Sequence, residues 1–240
     1  MVPTVTLLTA LGLGLDHFAG RGEQVLLSLG TLLILLALAR YLTPQERAQT
    51  ALVVVVATMA EVVGSILWGI YRYRLGNLPP FVPPGHGLVY VTGLRISQSA
   101  LVRRHGRTFV ALVLVGLVGW TAAGLLALPR TDVAGAVGAA TLAVFLLRGR
   151  SPTVYAGVFC FVAFLELYGT AIGTWRWAAE VPVLGVPDGN PPSGAASGYV
   201  FFDISALALA PWLLAGVDAT RRRWSAGLAG LRRPLPADTS

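Results

Sequence analysis

Seven long apolar runs, broken by short polar stretches, set the hydropathy pattern of this chain. They lie near residues 24–42, 50–70, 87–102, 108–128, 133–147, 153–173 and 197–217. Runs that are apolar on every side predict helices surrounded by lipid, because a bilayer is crossed by about 20 such residues. The third and fifth runs are short and extend into their flanks. Residues 3–18 carry an eighth apolar stretch, shorter than the ~20 residues of a full span. It lacks the basic start of a signal peptide, and an interfacial or partly inserted segment is expected there, with a true eighth span as the alternative. Gly/Pro-rich stretches at 76–87 and 182–198 read as two long loops.

Two segments of the pattern resemble each other. Glu61-x-x-Gly64-Ser65 matches Glu166-x-x-Gly169-Thr170. Gly69-x-Tyr71-Arg72-Tyr73 matches Gly173-x-Trp175-Arg176-Trp177 after a one-residue gap. Val82-Pro83-x-Gly85-His86 matches Val186-Pro187-x-Gly189-Asn190, and Leu94 to Ser97 matches Phe202 to Ser205. Four matches in one order predict an internal repeat. Repeat A covers about 24–102, a linker helix about 108–128, and repeat B about 133–217. A shift of four spans keeps the chain direction, so the halves are expected to be parallel, about an axis along the membrane normal. The fold class is therefore an all-α polytopic membrane bundle of about seven spans, built three plus one plus three, as one domain over 1–220. Residues 221–240 are expected to be a basic, disordered cytoplasmic tail.

Composition agrees with the bilayer. The 240 residues are 55% hydrophobic and only 12% charged, with mean hydropathy +0.70. All 18 basic residues are arginine, so the net charge of +7 reflects loops between spans rather than a nucleic-acid surface. Arg40, Arg47, Arg103, Arg104, Arg107, Arg148, Arg150, Arg221, Arg222, Arg223, Arg232 and Arg233 share one set of connections. Arg21, Arg72, Arg74, Arg130 and Arg176 form the poorer set. The positive-inside rule then predicts a cell-membrane protein with its N-terminus outside and its C-terminus cytoplasmic. With no lysine there is no Schiff base, which excludes a retinal protein. Cys160 is alone, so no internal disulfide forms.

Glu61, Arg95, Glu166 and Asp203 fall inside predicted spans, where an unpaired charge costs a few kcal/mol or more. One reading is a structural network in which Arg95 pairs with an acid. The other notes that three acids face one arginine. At least one carboxyl then lacks a cationic partner and is expected to carry its proton, as a general acid or a proton-coupling group. Helical spacing puts Glu61, Gly64, Ser65 and Trp68 on one face, as it does Glu166, Gly169, Thr170 and Gly173. Trp68, Tyr71, Tyr73, Trp175 and Trp177 fit either an interfacial aromatic belt or a wall that binds an apolar substrate and steadies a carbocation. His86 and Asn190 sit in the two loops, over the mouth of the expected cavity. Neither they, nor His17 and His105, show metal-ligand spacing, and no metal or cofactor is expected.

Glu61, Gly64, Gly69, Tyr71, Tyr73, Leu75, Gly76, Val82 and Pro83 together resemble a segment of the integral-membrane carotenoid hydratases. The second copy departs from it with Trp175 and Trp177. The three-plus-one-plus-three plan also resembles the small membrane lycopene cyclases, whose Pro-x-Glu-Glu pattern is missing here. The resemblance implies acid-catalysed isoprenoid chemistry, that is hydration, cyclisation or isomerisation. The unpaired intramembrane acids beside aromatics lead to the same enzyme reading, in which Glu61, Glu166, Asp203 and Arg95 are catalytic, and Trp68, Tyr71, Tyr73, His86, Trp175, Trp177 and Asn190 bind substrate. The expected partner is a membrane lipid or hydrophobic small molecule, not nucleic acid, and the sequence leaves the oligomeric state open. A small-solute or proton-coupled carrier and a non-catalytic membrane subunit are the alternatives.

Overall fold

The computed structural model describes residues 1–231, and eight helices make up most of them: α1 (Val2–Asp16), α2 (Arg21–Ala39), α3 (Pro44–Glu61), α4 (Val82–Ser97), α5 (Ala100–Leu126), α6 (Val133–Arg148), α7 (Pro152–Ala171) and α8 (Ala196–Leu231). A π-helical segment, Val62–Trp68, continues α3. Among the described residues, five helices are long and apolar enough to cross a membrane: α2, α3 with its π-helical end, α5, α7 and α8 as far as Thr220. Leu26, Leu33, Val115, Val118, Val137 and Leu147 point outward from the bundle, a surface that suits lipid and not water.

Local chemistry fixes where these helices start. Thr43 accepts from the Glu46 amide while Glu46 Oε2 accepts from the Thr43 amide, a reciprocal cap at α3. Ser99 caps α5 and Asp132 caps α6 through their side-chain oxygens. Proline stands in the first turn of α3, α4 and α7, where its missing N–H costs nothing.

The bundle is organised around α4, most of whose residues are buried. It packs against α7, and α3 packs against α8. The α4–α7 crossing is tight because it meets at glycine. A Cβ on Gly93 would lie 2.7 and 2.8 Å from the backbone N and Cα of Val158. α4 and α6 have 16 residues each, about 24 Å of helix, less than the ~30 Å of a hydrocarbon core. α4 is surrounded mostly by protein.

Two short antiparallel ribbons close one end of the bundle. β1 (Tyr71–Tyr73) pairs with β2 (Trp175–Trp177) in the register Tyr71↔Trp177, Arg72↔Arg176, Tyr73↔Trp175. β3 (Glu180–Val181) pairs with β4 (Val186–Pro187).

Several sequence expectations change. The N-terminal segment is helix α1 and belongs to the bundle: Val5 and Leu13 join the core, and buried Asp16 accepts from Gln24 Nε2 at 2.7 Å. The stretch expected as a loop over 76–87 is already helix from Val82, so His86 is helical. Its counterpart Asn190 follows β4 in a loop, so the third sequence match does not extend to local structure. His105 lies in α5 at a kink, not in a loop. α8 continues to Leu231, past the point where a disordered tail was expected; residues 232–240 lie outside the described residues.

Candidate functional site

Glu61 and Glu166 stand near the ends of α3 and α7 in closely matching surroundings. Ser65 Oγ donates to Glu61 O at 2.7 Å, and Thr170 Oγ1 donates to Glu166 O at 2.6 Å. Each helix then ends on a glycine in the left-handed region, Gly69 (φ +75°) and Gly173 (φ +77°). Only glycine takes that turn without strain. It sends β1 and β2 back over the helix ends and lowers their aromatic rings onto the glutamates. Gly64 and Gly169 leave room for this, because a Cβ at either would press on Tyr71 or Trp175. From Glu61 to Gly69 is eight positions, against seven from Glu166 to Gly173. The π-helical segment takes up the extra residue. Its wider turn also carries Trp68 off the face that α-helical spacing assigns it. Trp68 is partly exposed, and its Nε1 donates to Pro182 O at 3.0 Å.

The two carboxyls differ in their partners. Glu61 Oε2 accepts from the Tyr73 hydroxyl at 2.8 Å, and Oε1 is hydrogen-bonded to His86 Nε2 at 2.9 Å. Glu166 Oε2 accepts from both indole N–H groups, Trp175 and Trp177, at 3.0 Å each. Glu166 Oε1 has no protein partner among the described residues, and Glu166 lines a cavity of about 150 Å³. The polar end of this cavity is formed by Glu61, Glu166, His86, Tyr71, Tyr73 and Tyr199. Its remainder is apolar and runs between α1, α2, α4 and α7, past Val5, Leu13, Leu27, Leu88 and Phe161. Burial first, and then the charge of Glu61, push the Tyr71 and Tyr73 hydroxyls well above the ordinary phenol range, so both remain O–H donors.

Seven sequence candidates therefore meet at one cavity: Glu61, Glu166, Tyr71, Tyr73, His86, Trp175 and Trp177. Four do not line it. Arg95 lies in the last turn of α4, with Nη1 3.4 Å from Glu46 Oε1 and Nη2 donating to Tyr41 O at 2.9 Å. Nine residues of helix, about 13 Å, separate it from His86. Asp203 is buried on α8, one turn beyond Tyr199, and its Oδ2 has no partner among the described residues. Asn190 Oδ1 accepts from the Trp177 amide at 2.8 Å and holds β2 in place. Trp68 is the fourth.

Sequence reasoning missed three features. Tyr199 stacks at a tilt on His86, ring centroids 5.3 Å apart. α1 and α2 supply much of the apolar wall. Asp132 gathers the second loop, its Oδ1 accepting from the Gly135 and Gly189 amides at 3.0 Å and its Oδ2 from the Ser193 amide at 2.7 Å. One signal was available for His86: Pro83 and Pro84 at a helix start place it within the first turns, facing Glu61. No protein-family model, curated protein or solved structure matches this chain.

Proposed function

We propose that the protein is a multi-pass cell-membrane enzyme that acts on an isoprenoid-like or other lipid chain by carboxylic-acid proton transfer. The observation that carries this reading is the unpartnered Oε1 of Glu166 at the polar end of an otherwise apolar cavity. Glu166 gives its proton to one carbon of a C=C bond, and the cation forms on the other carbon. Tyr71, Tyr73, Trp175 and Trp177 surround that charge with ring π-density. In hydration, water adds to the cation and its proton passes to the Glu61–His86 pair. In isomerisation or cyclisation, a neighbouring C–H supplies that proton instead. The proton returns to Glu166 before the next turnover. Arg95 and Asp203 take no part in these steps. The resemblance to carotenoid hydratases favours hydration.

The same reading takes α2 to α8 as seven spans, with α2–α4 and α6–α8 as parallel repeats about α5. The N-terminus lies outside, and the cavity opens near the outer surface. Two packing facts support the repeat. Exchanging the halves turns the α3–α8 contact into the α7–α4 contact. It also turns Tyr71↔Trp177 into Trp175↔Tyr73 and leaves Arg72↔Arg176 unchanged. A two-fold arrangement of this kind equally suits a carrier, for which proteoliposome uptake of solute would be lost in Glu61→Gln.

The deciding experiment is native mass spectrometry with lipid extraction on gently purified wild type and Glu61→Gln/Glu166→Gln. A specific isoprenoid or lipid is expected on the wild type, with the variant holding a different amount or an unconverted form. Bulk phospholipid alone in both samples would refute the enzyme reading.

A further inference from the structure

We infer that Arg72 and Arg176 form a phosphate-binding site on the face of the β1–β2 ribbon that points away from the cavity. Side chains alternate along a strand, and here Tyr71, Tyr73, Trp175 and Trp177 line the cavity. Arg72 and Arg176 therefore share the opposite face, and both are exposed. They are also direct cross-strand partners. Arg74 N donates to Thr174 O, and Ala178 N to Ile70 O, at 2.9 Å each. That pattern puts Arg72 and Arg176 in a hydrogen-bonded pair, with Cα atoms about 5.5 Å apart.

Two like charges placed directly opposite each other destabilise a ribbon. The other arginines of this end are already engaged. Arg74 lies 4.0 Å from Asp16 Oδ1 and donates to the Asp16 and Ala19 carbonyls. Arg130 donates to the Trp177 and Ala178 carbonyls at 2.9 and 3.3 Å. Neither Arg72 nor Arg176 has an acidic partner within 4.0 Å among the described residues. Two guanidinium forks carried on directly paired residues suit one group with several anionic oxygens, each fork taking two of them. A phosphate ester has that shape, and its charge removes the repulsion between the arginines.

The phosphate can come from a phospholipid headgroup or from solution. Exposed Leu67, Trp68, Val183 and Leu184 lie in the segments bordering the ribbon, as expected at the level of the headgroups. The site is independent of the chemistry proposed for the cavity, because it stands on the other face of the strands. A bound phosphate would, however, hold the aromatic roof in place.

The test uses the full chain in phosphate-free neutral detergent. One arm titrates dioleoyl phosphatidylglycerol, with dioleoylglycerol as the phosphate-free match, and counts adducts by native mass spectrometry. The other arm measures the melting temperature with inorganic phosphate against chloride at equal ionic strength. Arg72→Gln/Arg176→Gln is expected to weaken binding by about tenfold or more in the arm that shows it, while Arg150→Gln changes neither arm. Loss in the lipid arm assigns a headgroup site; loss only in the phosphate arm assigns a soluble phosphate. With no ligand present, the double variant is expected to melt at or above the wild type, since the repulsion is gone. Equal binding by wild type and double variant in both arms would overturn the inference. So would a double variant that melts lower than wild type without ligand, because the arginines would then be holding the fold rather than a phosphate.

Discussion

Glu61 has both carboxyl oxygens engaged, whereas Glu166 keeps one free for the cavity. That difference separates two substitutions of equal size. In Glu166→Gln the amide oxygen still accepts from Trp175 and Trp177, so the melting temperature should move little. Product formation should fall by roughly a hundredfold or more, because the acid is gone. In Glu61→Gln the new NH₂ group meets His86, so both stability and product should fall. A Glu166→Gln protein that still converts lipid would remove Glu166 from the mechanism. A steric pair gives a second comparison. Gly169→Ala drives a methyl into Trp175 and should cost about 1–3 kcal/mol. Gly64→Ala meets Tyr71 at 3.2 Å and should cost less, which thermal melts of the two variants would check. Much of this was legible in the sequence: acids in apolar runs, small residues at helical spacing, and aromatics two apart. Which oxygen is occupied was not, because it depends on rotamers and on an α4 that begins at Val82. Arg95 does not reach the cavity for a related reason. With α4 starting early, Arg95 falls in its last turn and reaches Glu46 rather than the buried acids.

At the scale of elements, the one-residue gap between the two matching sequence segments has a physical counterpart in the π-helical segment. Deleting Val63 gives Glu61 to Gly69 the seven-position spacing of Glu166 to Gly173. The deleted chain should fold with an ordinary α-helical end and keep the Glu61–Tyr73 hydrogen bond. Deleting Leu167 from α7, which has no spare residue, should rotate Gly169 and the start of β2 by about 100° relative to Glu166 and lose the folded protein. Similar melting of the two deletions would contradict this account. The second loop adds a pH dependence. Burial first, and then the Asp132 carboxyl, push Asp188 up to about 7, against the hydrogen bond from Gly189 and the charge of Arg130. Its folded value lies above its unfolded value near 4, so the folded state holds the extra proton between them. The stability this gives is complete at low pH and lost as pH rises from about 4 through 7. Asp188→Asn should flatten that part of the melting profile, and an unchanged profile would dismiss Asp188 as its source. This loop was poorly legible: its Pro and Gly content marked turns, but Asp132, the residue that organises it, sits before another helix, 57 positions from Gly189.

For the whole molecule, the sequence pattern placed seven apolar runs that all fall on helices, and it took the further helix, α1, for an interfacial or partly inserted segment, with an eighth span as the alternative. Period and length cannot tell a short helix at the lipid surface from one packed in a bundle; the buried Asp16–Gln24 pair makes the difference here. Orientation rests on charge alone. The ends joined by α2–α3, α4–α5 and α6–α7 carry most of the arginines, and the ribbons cover the other end. Because Cys160 is the single cysteine, replacing it with serine gives a clean background for labelling. Val183 at the β3–β4 turn is fully open, and Arg150 at the start of α7 is exposed at the opposite end. In intact cells a membrane-impermeant maleimide should label Val183→Cys and spare Arg150→Cys until the membrane is broken. The reverse pattern would turn the protein over and place the phosphate-binding ribbon and the cavity mouth in the cytoplasm, where the positive-inside rule would have failed. Labelling of both in intact cells would mean that the two ends are not separated by a membrane, and the seven-span arrangement would fall with the orientation.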